Sequence, residues 1–430
     1  MEDILLNLIK DKCVLILGFG MEGRSTYNIV KRLGTYTKLD IADINLPKDF
    51  SDSDVNIYSG EDHLDHIDEY DITFKSPGIV LPKSYKEYKC KITSQTEVFL
   101  QVFRKQVIGI TGTKGKSTVS SLLYHVLSDN NVPCILAGNI GKPVFDIACD
   151  VKPDTIVVLE LSSHQLEICN ISPATAVFLN IFEDHLDHYG TFERYYRAKK
   201  NIYLHQKPDD VLYCGASVKP LDNESLSKTV IVNTNILPAG VDEAFKLIKL
   251  HGKHNLENAA FVYTVSKSYA LTDNGFLNAI KSYTPLPHRL EYIGTGNGID
   301  FYDDSISTTV ESTINAVESI ANASTLLLGG MDRGIDYTAL VEYLSDSRLS
   351  NIICMYQSGK RIFEMFESKA NVKPALIYCT GLIEAVKTAK AVTPTGTACL
   401  LSPASASYGD FKNFEERGRV YKSLIFDKNG

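Results

Sequence analysis

Lys116 and Ser117 close a turn, Gly109-Ile-Thr-Gly-Thr-Lys-Gly-Lys-Ser-Thr118, that follows directly on the apolar pair Val107-Ile108. A turn of this composition aims its backbone N–H groups, here from Gly112, Thr113, Lys114, Gly115 and on to Thr118, at phosphate oxygens. Lys116 then reaches the terminal phosphates of a nucleotide, and Ser117 offers a hydroxyl to Mg2+. Apolar residues at helical spacing from Val119 to Leu127 bring a helix N-terminus, with its partial positive charge, to the same anion. The spacing is not that of the common GxxxxGK(S/T) loop, because Ile110 stands where its first glycine would fall. A narrower type of nucleotide loop is expected.

Further reactive groups stand where strands should end. Glu160 closes the apolar run Ile156-Val-Val-Leu and precedes Leu161-Ser-Ser-His-Gln165. A carboxylate there is costly unless it is solvated or holds a cation, and with Ser117 it could hold Mg2+ between the β- and γ-phosphates. Glu183-Asp-His-Leu-Asp-His188 follows Ala176-Val-Phe-Leu-Asn180 and offers His185 to a metal. The same six residues at 61–66 lie in a polar stretch and read as a turn. Lys199 and Lys200 stand side by side, a pattern that by itself describes a solvated helix face. Asn255 and Asn258 share one side of a helix start with His254, placed to read an adenine edge or ribose, or simply to cap the helix. Beyond later strands come Asp303-Asp304, Arg333 after Gly329-Gly330, and the hydroxyl-rich run Ser402-Pro-Ala-Ser-Ala-Ser407. Arginine and hydroxyls in such places suit a carboxylate-bearing substrate.

A second glycine-rich turn, Gly18-Phe-Gly-Met-Glu-Gly23, follows Cys13-Val-Leu-Ile-Leu17, and Asp43 ends the next apolar run. Dinucleotide folds place Gly18, Gly20, Gly23 and a ribose-binding acid in this way. A nicotinamide oxidoreductase would use them, yet it would leave the loop at 112–118 without a task.

The elements that must position these groups repeat one pattern. Three segments each open on an apolar strand leading into a turn and helix, which is α/β architecture with mostly parallel sheets. Boundaries near 95 and, at Pro285-Leu-Pro287, near 285 give expected domains of 1–95, 96–285 and 286–430. A chain of 430 residues exceeds what one core can organise. Its 44% hydrophobic and 22% charged residues are ordinary for a globular protein, while a net charge of −8 argues against a nucleic-acid surface. The nine cysteines are scattered without a CxxC pair and read as buried hydrophobes in a reducing compartment. No apolar run is long enough to span a bilayer and no export leader is seen, so a cytoplasmic location is expected.

Thr111–Thr118, Leu159-Glu-Leu-Ser-Ser163, Glu183-Asp-His-Leu-Asp187, His254-Asn255, Pro287-His-Arg-Leu-Glu291 and the run Leu401–Gly418 together resemble, in order and spacing, the Mur ligases of peptidoglycan synthesis. The resemblance covers the whole chain. Its first two motifs are shared with folylpolyglutamate synthases, which lack a preceding GxGxxG domain. It implies a Rossmann-like N-terminal domain holding the UDP of a nucleotide-sugar acid, a central P-loop-type ATPase domain and a Rossmann-like C-terminal domain for the amino acid. The best-matching branch implies UDP-N-acetylmuramoyl-L-alanine, glutamate and ATP as substrates. Glutamate's chirality stays open, and so does another Mur-type or folylpolyglutamate-type ligation. No nucleic-acid partner, no membrane insertion and a monomeric state are implied.

Carried over by motif, Gly18, Gly20, Gly23, Asp43, Ser76, Asn139, Ser162 and His185 match nucleotide-sugar positions. Lys116, Ser117 and Glu160 match those for ATP and a first Mg2+, and His185 that for a second. Lys199, with Lys200 as alternate, matches a carbamylated lysine. Asn255, Asn258, Arg289 and Asp304 match ATP contacts. Thr308, Arg333, Ser407 and, through its backbone, Phe414 match the grip on glutamate. Three departures stand out: Ile306 and Arg333 where relatives carry lysine, and His164 where they carry an aromatic residue.

Overall fold

Leu15, Ile16 and Leu17 are wholly buried in succession, as are Val157, Val158 and Leu159, and Leu326, Leu327 and Leu328. Unbroken apolar runs of this kind are strands covered on both faces, which parallel sheets require. The computed structural model describes residues 1–45, 50–248 and 253–426 and arranges such runs in three sheets, as expected for the α/β class.

The first sheet contains β1 (Cys13–Leu17), β2 (Lys38–Asp43), β3 (Ile57–Ser59), β4 (Ile72–Lys75) and β5 (Lys91–Thr93). Its order is β3-β2-β1-β4-β5, all parallel. The second contains β6 (Val107–Thr111), β7 (Cys134–Gly138), β8 (Ile156–Glu160), β9 (Thr175–Phe178), β10 (Val211–Cys214) and β11 (Lys228–Ile231). It is again fully parallel, in the order β11-β10-β9-β6-β8-β7. The third contains β12 (Glu291–Gly296), β13 (Ile299–Asp303), β14 (Ala323–Leu328), β15 (Asn351–Met355), β16 (Ala375–Cys379) and β17 (Ala398–Leu401). Its order is β12-β13-β17-β14-β15-β16, with only β12 antiparallel.

In the second sheet the chain leaves β6 toward β8 and β7 on one side and later fills β9, β10 and β11 on the other. The carboxyl end of β6 is therefore a topological switch point, where α/β sheets bind ligands. Register sharpens this: Ile110 of β6 pairs with Glu160 of β8, and Thr111 with Phe178 of β9. The helix Lys116–Asp129 packs onto the sheet through Val119, Leu122, Leu123 and Val126, a helical stripe.

The chain divides into two compact units: Met1–Ala239 with Leu256–Ile280, which contains the first two sheets, and Gly240–Asn255 with Lys281–Gly430, which contains the third. Among the described residues no helix is long and apolar enough to cross a membrane.

Candidate active site

The turn after β6 is gripped from the neighbouring strand end. Lys114 N donates to Asn180 Oδ1 at 2.9 Å, Asn180 Nδ2 donates to the Lys114 carbonyl at 3.1 Å, and Thr113 N donates to the Asn180 carbonyl at 3.1 Å. The Thr113 hydroxyl lies 2.9 Å from that of Tyr195 and accepts from Phe182 N at 3.0 Å. Gly115 caps the helix with φ +86°, and a Cβ there would come within 2.5 Å of Asn258 Oδ1, so Asn258 stands against the turn. Gly112, Ser117 and Thr118 complete it at the helix N-terminus, whose partial positive charge favours an anion.

Two lysines converge on one oxygen. Lys116 Nζ donates to the carbonyls of Gly112 (2.9 Å) and Thr113 (3.0 Å), while Lys199 Nζ donates to the same Gly112 carbonyl at 2.8 Å. Lys199 is 1% exposed, on the inner side of the helix Phe192–Lys200 with Tyr195 and Ala198. Burial, and then the charge of Lys116, push its pKa well below the usual lysine range, against the pull of Asp184 and Glu160. Lys200 is occupied elsewhere, 2.6 Å from Glu224 Oε1 and over the Tyr196 ring.

Glu160 is fully buried. Its Oε1 accepts from Asn139 Nδ2 at 2.8 Å, whereas Oε2 is buried with no hydrogen-bond partner among the described residues. A buried, unpaired carboxylate oxygen beside a phosphate loop fits a divalent cation. His185 adopts a left-handed backbone, φ +53°, at the start of the short helix Leu186–Tyr189. Its ring is half exposed, 3.8 Å from Asp184 Oδ2. Edge-on to it, at 4.8 Å, is His164, whose pKa falls to about 3 through burial and the neighbouring His188 and His185. His164 is thus an uncharged ring at neutral pH. Ser162 caps the helix Ser163–Leu166, its hydroxyl accepting from Gln165 N at 3.2 Å.

In the first sheet, Gly18, Gly23 and Ser76 interlock. Ser76 Oγ donates to the Gly18 carbonyl at 2.7 Å, and a Cβ on Gly23 would come within 1.9 Å of that carbonyl oxygen. Gly20, at the start of the helix Met21–Leu33, faces open space. Asp43 braces the turn, accepting from Phe19 N at 2.5 Å and Asn45 N at 2.9 Å. The first copy of the repeated hexapeptide forms a 3-10 turn in which His63 Nδ1 lies 2.7 Å from the Gly60 carbonyl.

In the unit built on the third sheet, Asp304 is buried and accepts from Leu290 N (3.1 Å) and Ser402 Oγ (2.7 Å); burial pushes its carboxyl up to about 6. Arg289 Nε is a buried donor without a partner among the described residues. The Arg333 guanidinium lies over the Tyr408 ring at 5.4 Å. Ser407 is buried, Thr308 half-buried, and the Phe414 carbonyl accepts from Ser305 Oγ at 2.8 Å. Asn255, in the same unit, is buried. His288, Glu291 and Asp303 also gather here, but Lys422 Nζ lies 2.6 Å from Glu291 Oε2 and 3.9 Å from Asp303 Oδ2 and supplies the balancing charge.

Sequence reasoning passed over Asn180 and Tyr195. Asn180 stands at the end of an apolar run, the position that drew attention to Glu160. Tyr195 lies one helical turn before Lys199, so its ring faces the same side.

Residues 110–236 match the family model described as the Mur ligase middle domain. The chain is 30% identical to the UDP-N-acetylmuramoylalanine–D-glutamate ligase of Clostridium kluyveri, over 97% of both chains. It is 31% identical to the enzyme of the same name from Acetivibrio thermocellus, again over 97% of both. Among solved structures it resembles the MurF ligase of Thermotoga maritima in complex with ADP, with TM-score 0.61, 16% identity and 99% of both chains covered. It also resembles MurC of the same organism, with TM-score 0.57, 16% identity and coverage of 95% and 98%. These structures share the fold: an α/β protein of three mostly parallel sheets. The chain is an enzyme and belongs to the Mur ligase family.

Proposed function

We propose that this chain joins the amine of glutamate to the terminal carboxylate of UDP-N-acetylmuramoyl-L-alanine, coupled to cleavage of ATP. The observation that carries the reading is the buried cluster at the phosphate loop, where Glu160 keeps one carboxylate oxygen unpaired and the buried Lys199 donates to the Gly112 carbonyl beside Lys116. The names of the Clostridium and Acetivibrio relatives support the choice of acid and of D-glutamate.

In this reading residues 1–95 seat the nucleotide sugar on Gly18, Gly20, Gly23, Asp43 and Ser76, with Asn139 and Ser162 facing it. Residues 96–285 hold ATP on the loop and Asn258. Residues 286–430 hold glutamate through Thr308, Arg333, Ser407 and the Phe414 backbone, and Asn255, Arg289 and Asp304 match ATP-contact positions of the family motifs. Glu160 with Ser117 fits one Mg2+, and His185 with a carbamylated Lys199 fits a second; bound Mg2+ neutralises phosphate charge as it develops. A carbamate forms from an uncharged amine and CO2 with loss of a proton, and burial beside Lys116, which lowers the pKa of Lys199, favours that form.

The substrate carboxylate attacks the γ-phosphoryl group, giving an acyl phosphate and ADP. Lys116 gives up its contacts with the Gly112 and Thr113 carbonyls and turns to the phosphoryl oxygens. The glutamate amine, having lost its proton, attacks the acyl carbon, and the tetrahedral adduct collapses to amide and phosphate. The protein's task is positioning. A monomer working in the cytoplasm, where ATP and the sugar nucleotide are supplied, completes the proposal.

The test is phosphate release from ATP with UDP-N-acetylmuramoyl-L-alanine and, in turn, D-glutamate, L-glutamate, meso-diaminopimelate or no amino acid. Release that requires both the acid and D-glutamate is expected. Release with L-glutamate instead would assign Ile306 and Arg333 to an altered amino-acid seat, and release independent of the acid would overturn the reading.

A further inference from the structure

Lys75 and Glu167 meet between the first two sheets, and among the described residues neither hydrogen-bonds to the phosphate loop. Lys75 ends β4 immediately before Ser76, with a side chain only 2% exposed. Its ammonium lies 3.4 Å from Glu167 Oε2, 3.4 Å from the Pro77 carbonyl and 3.5 Å from the Ser76 carbonyl. Glu167 Oε2 also lies 3.2 Å from His188 Nε2, on the short helix that begins after His185. The His164 ring stands between the two histidines, 4.3 Å from His188 and 4.8 Å from His185. A parallel bridge runs alongside: Gln165 Nε2 donates to Glu22 Oε1 at 2.6 Å, and Gln165 is the capping partner of Ser162, two residues past Glu160. Both bridges start beside the glycine-rich turn of the first sheet, and both end on the short helix Ser163–Leu166 that follows β8, at Gln165 and at its C-cap Glu167.

Lys75 is buried while Glu167 is one-third exposed, so the pair stabilises the fold little, desolvation of the ammonium offsetting much of the attraction, but it ties together the two segments that carry it. Here it joins the segment expected to seat the acid to the segment that carries His185. We propose that Lys75 and Glu167 are positioning residues: their ion pair keeps the turn Ser76–Gly78 in register with the loop at His185, so that acid and phosphoryl group meet in line. The inference rests on the functional reading above. In-line attack is sensitive to misplacement far smaller than either substrate, so the joint acts on turnover rather than on affinity.

Lys75→Met and Glu167→Gln keep side-chain volume and remove the pair. Each should lower kcat about tenfold or more while leaving KM for ATP within about twofold, and the double variant should lose no more than the worse single one. Amide hydrogen exchange should quicken at both 76–80 and 185–190 in each single variant, with the rest of the chain unchanged. Wild-type kcat in the single variants, losses that multiply in the double one, or exchange that rises only beside the mutated residue would overturn the proposal. So would faster exchange throughout, which would mark a purely structural pair. If the wild-type chain forms no ADP with both substrates present, the functional reading fails, and the exchange pattern alone still decides the joint.

Discussion

A lysine buried beside a second lysine must either shed its charge or acquire an anionic group, and Lys199 is so placed against Lys116. Lys199→Ala should cut ligase turnover about 100-fold or more, with partial rescue by short carboxylic acids that refill the anionic position, measured as ADP release. Full activity in that variant would move the role to Lys200. Lys116→Ala should abolish turnover with an unchanged melting temperature, and normal ADP release from it would refute the loop assignment. Asp304 gives a prediction in pH. Its carboxyl rises from 3.8 to about 6 on burial, so its contribution to stability is present in full below 3.8 and is lost as pH climbs through 6. Asp304→Asn removes that dependence. From pH 4 to pH 7 the stability difference should move in the variant's favour by about 2 kcal/mol, read from denaturant melts.

The element that matters most is the turn from β6 into its helix. A methyl group at Gly115 meets both a left-handed backbone and Asn258 Oδ1 at 2.5 Å. Gly115→Ala should therefore cost about 1–3 kcal/mol in stability and weaken binding of a non-hydrolysable ATP analogue, followed by titration calorimetry. Wild-type affinity would mean the turn does not approach phosphate. Much of this element was legible in the sequence. β1, β8 and the Leu326–Leu328 end of β14 announce themselves as unbroken apolar runs, and Glu160 stands out because a charge ends one of them. Less legible was depth. The helix Phe192–Lys200 is more than half charged residues, and only its docking shows that Lys199 turns inward while Lys200 turns to Glu224. The grip of Asn180 and the Lys75–Glu167 pair depend on strands distant in sequence coming side by side, which local pattern does not encode. β12 escaped notice for a different reason: its residues are half-buried and two are glycines.

At the scale of the molecule, the first two sheets share one apolar cluster that includes Leu5, Val14, Phe99, Val107 and Phe178, whereas the third sheet is flanked by clusters of its own. Two compact units predict departure from two-state melting. Calorimetry should resolve two transitions, and UDP-N-acetylmuramoyl-L-alanine alone should raise only the one belonging to the unit of Met1–Ala239. A single transition, or a shift in the other one, would contradict this. Strand order in the third sheet has its own consequence. β17 lies at the centre, between β13 and β14, yet it is the last of the six to leave the ribosome. Until it arrives, the nascent chain holds a β12–β13 hairpin and a β14-β15-β16 ribbon with no strand to join them, each offering an open apolar edge to chaperones or to neighbouring chains. A premature stop before Ala398 would leave those two pieces apart for good.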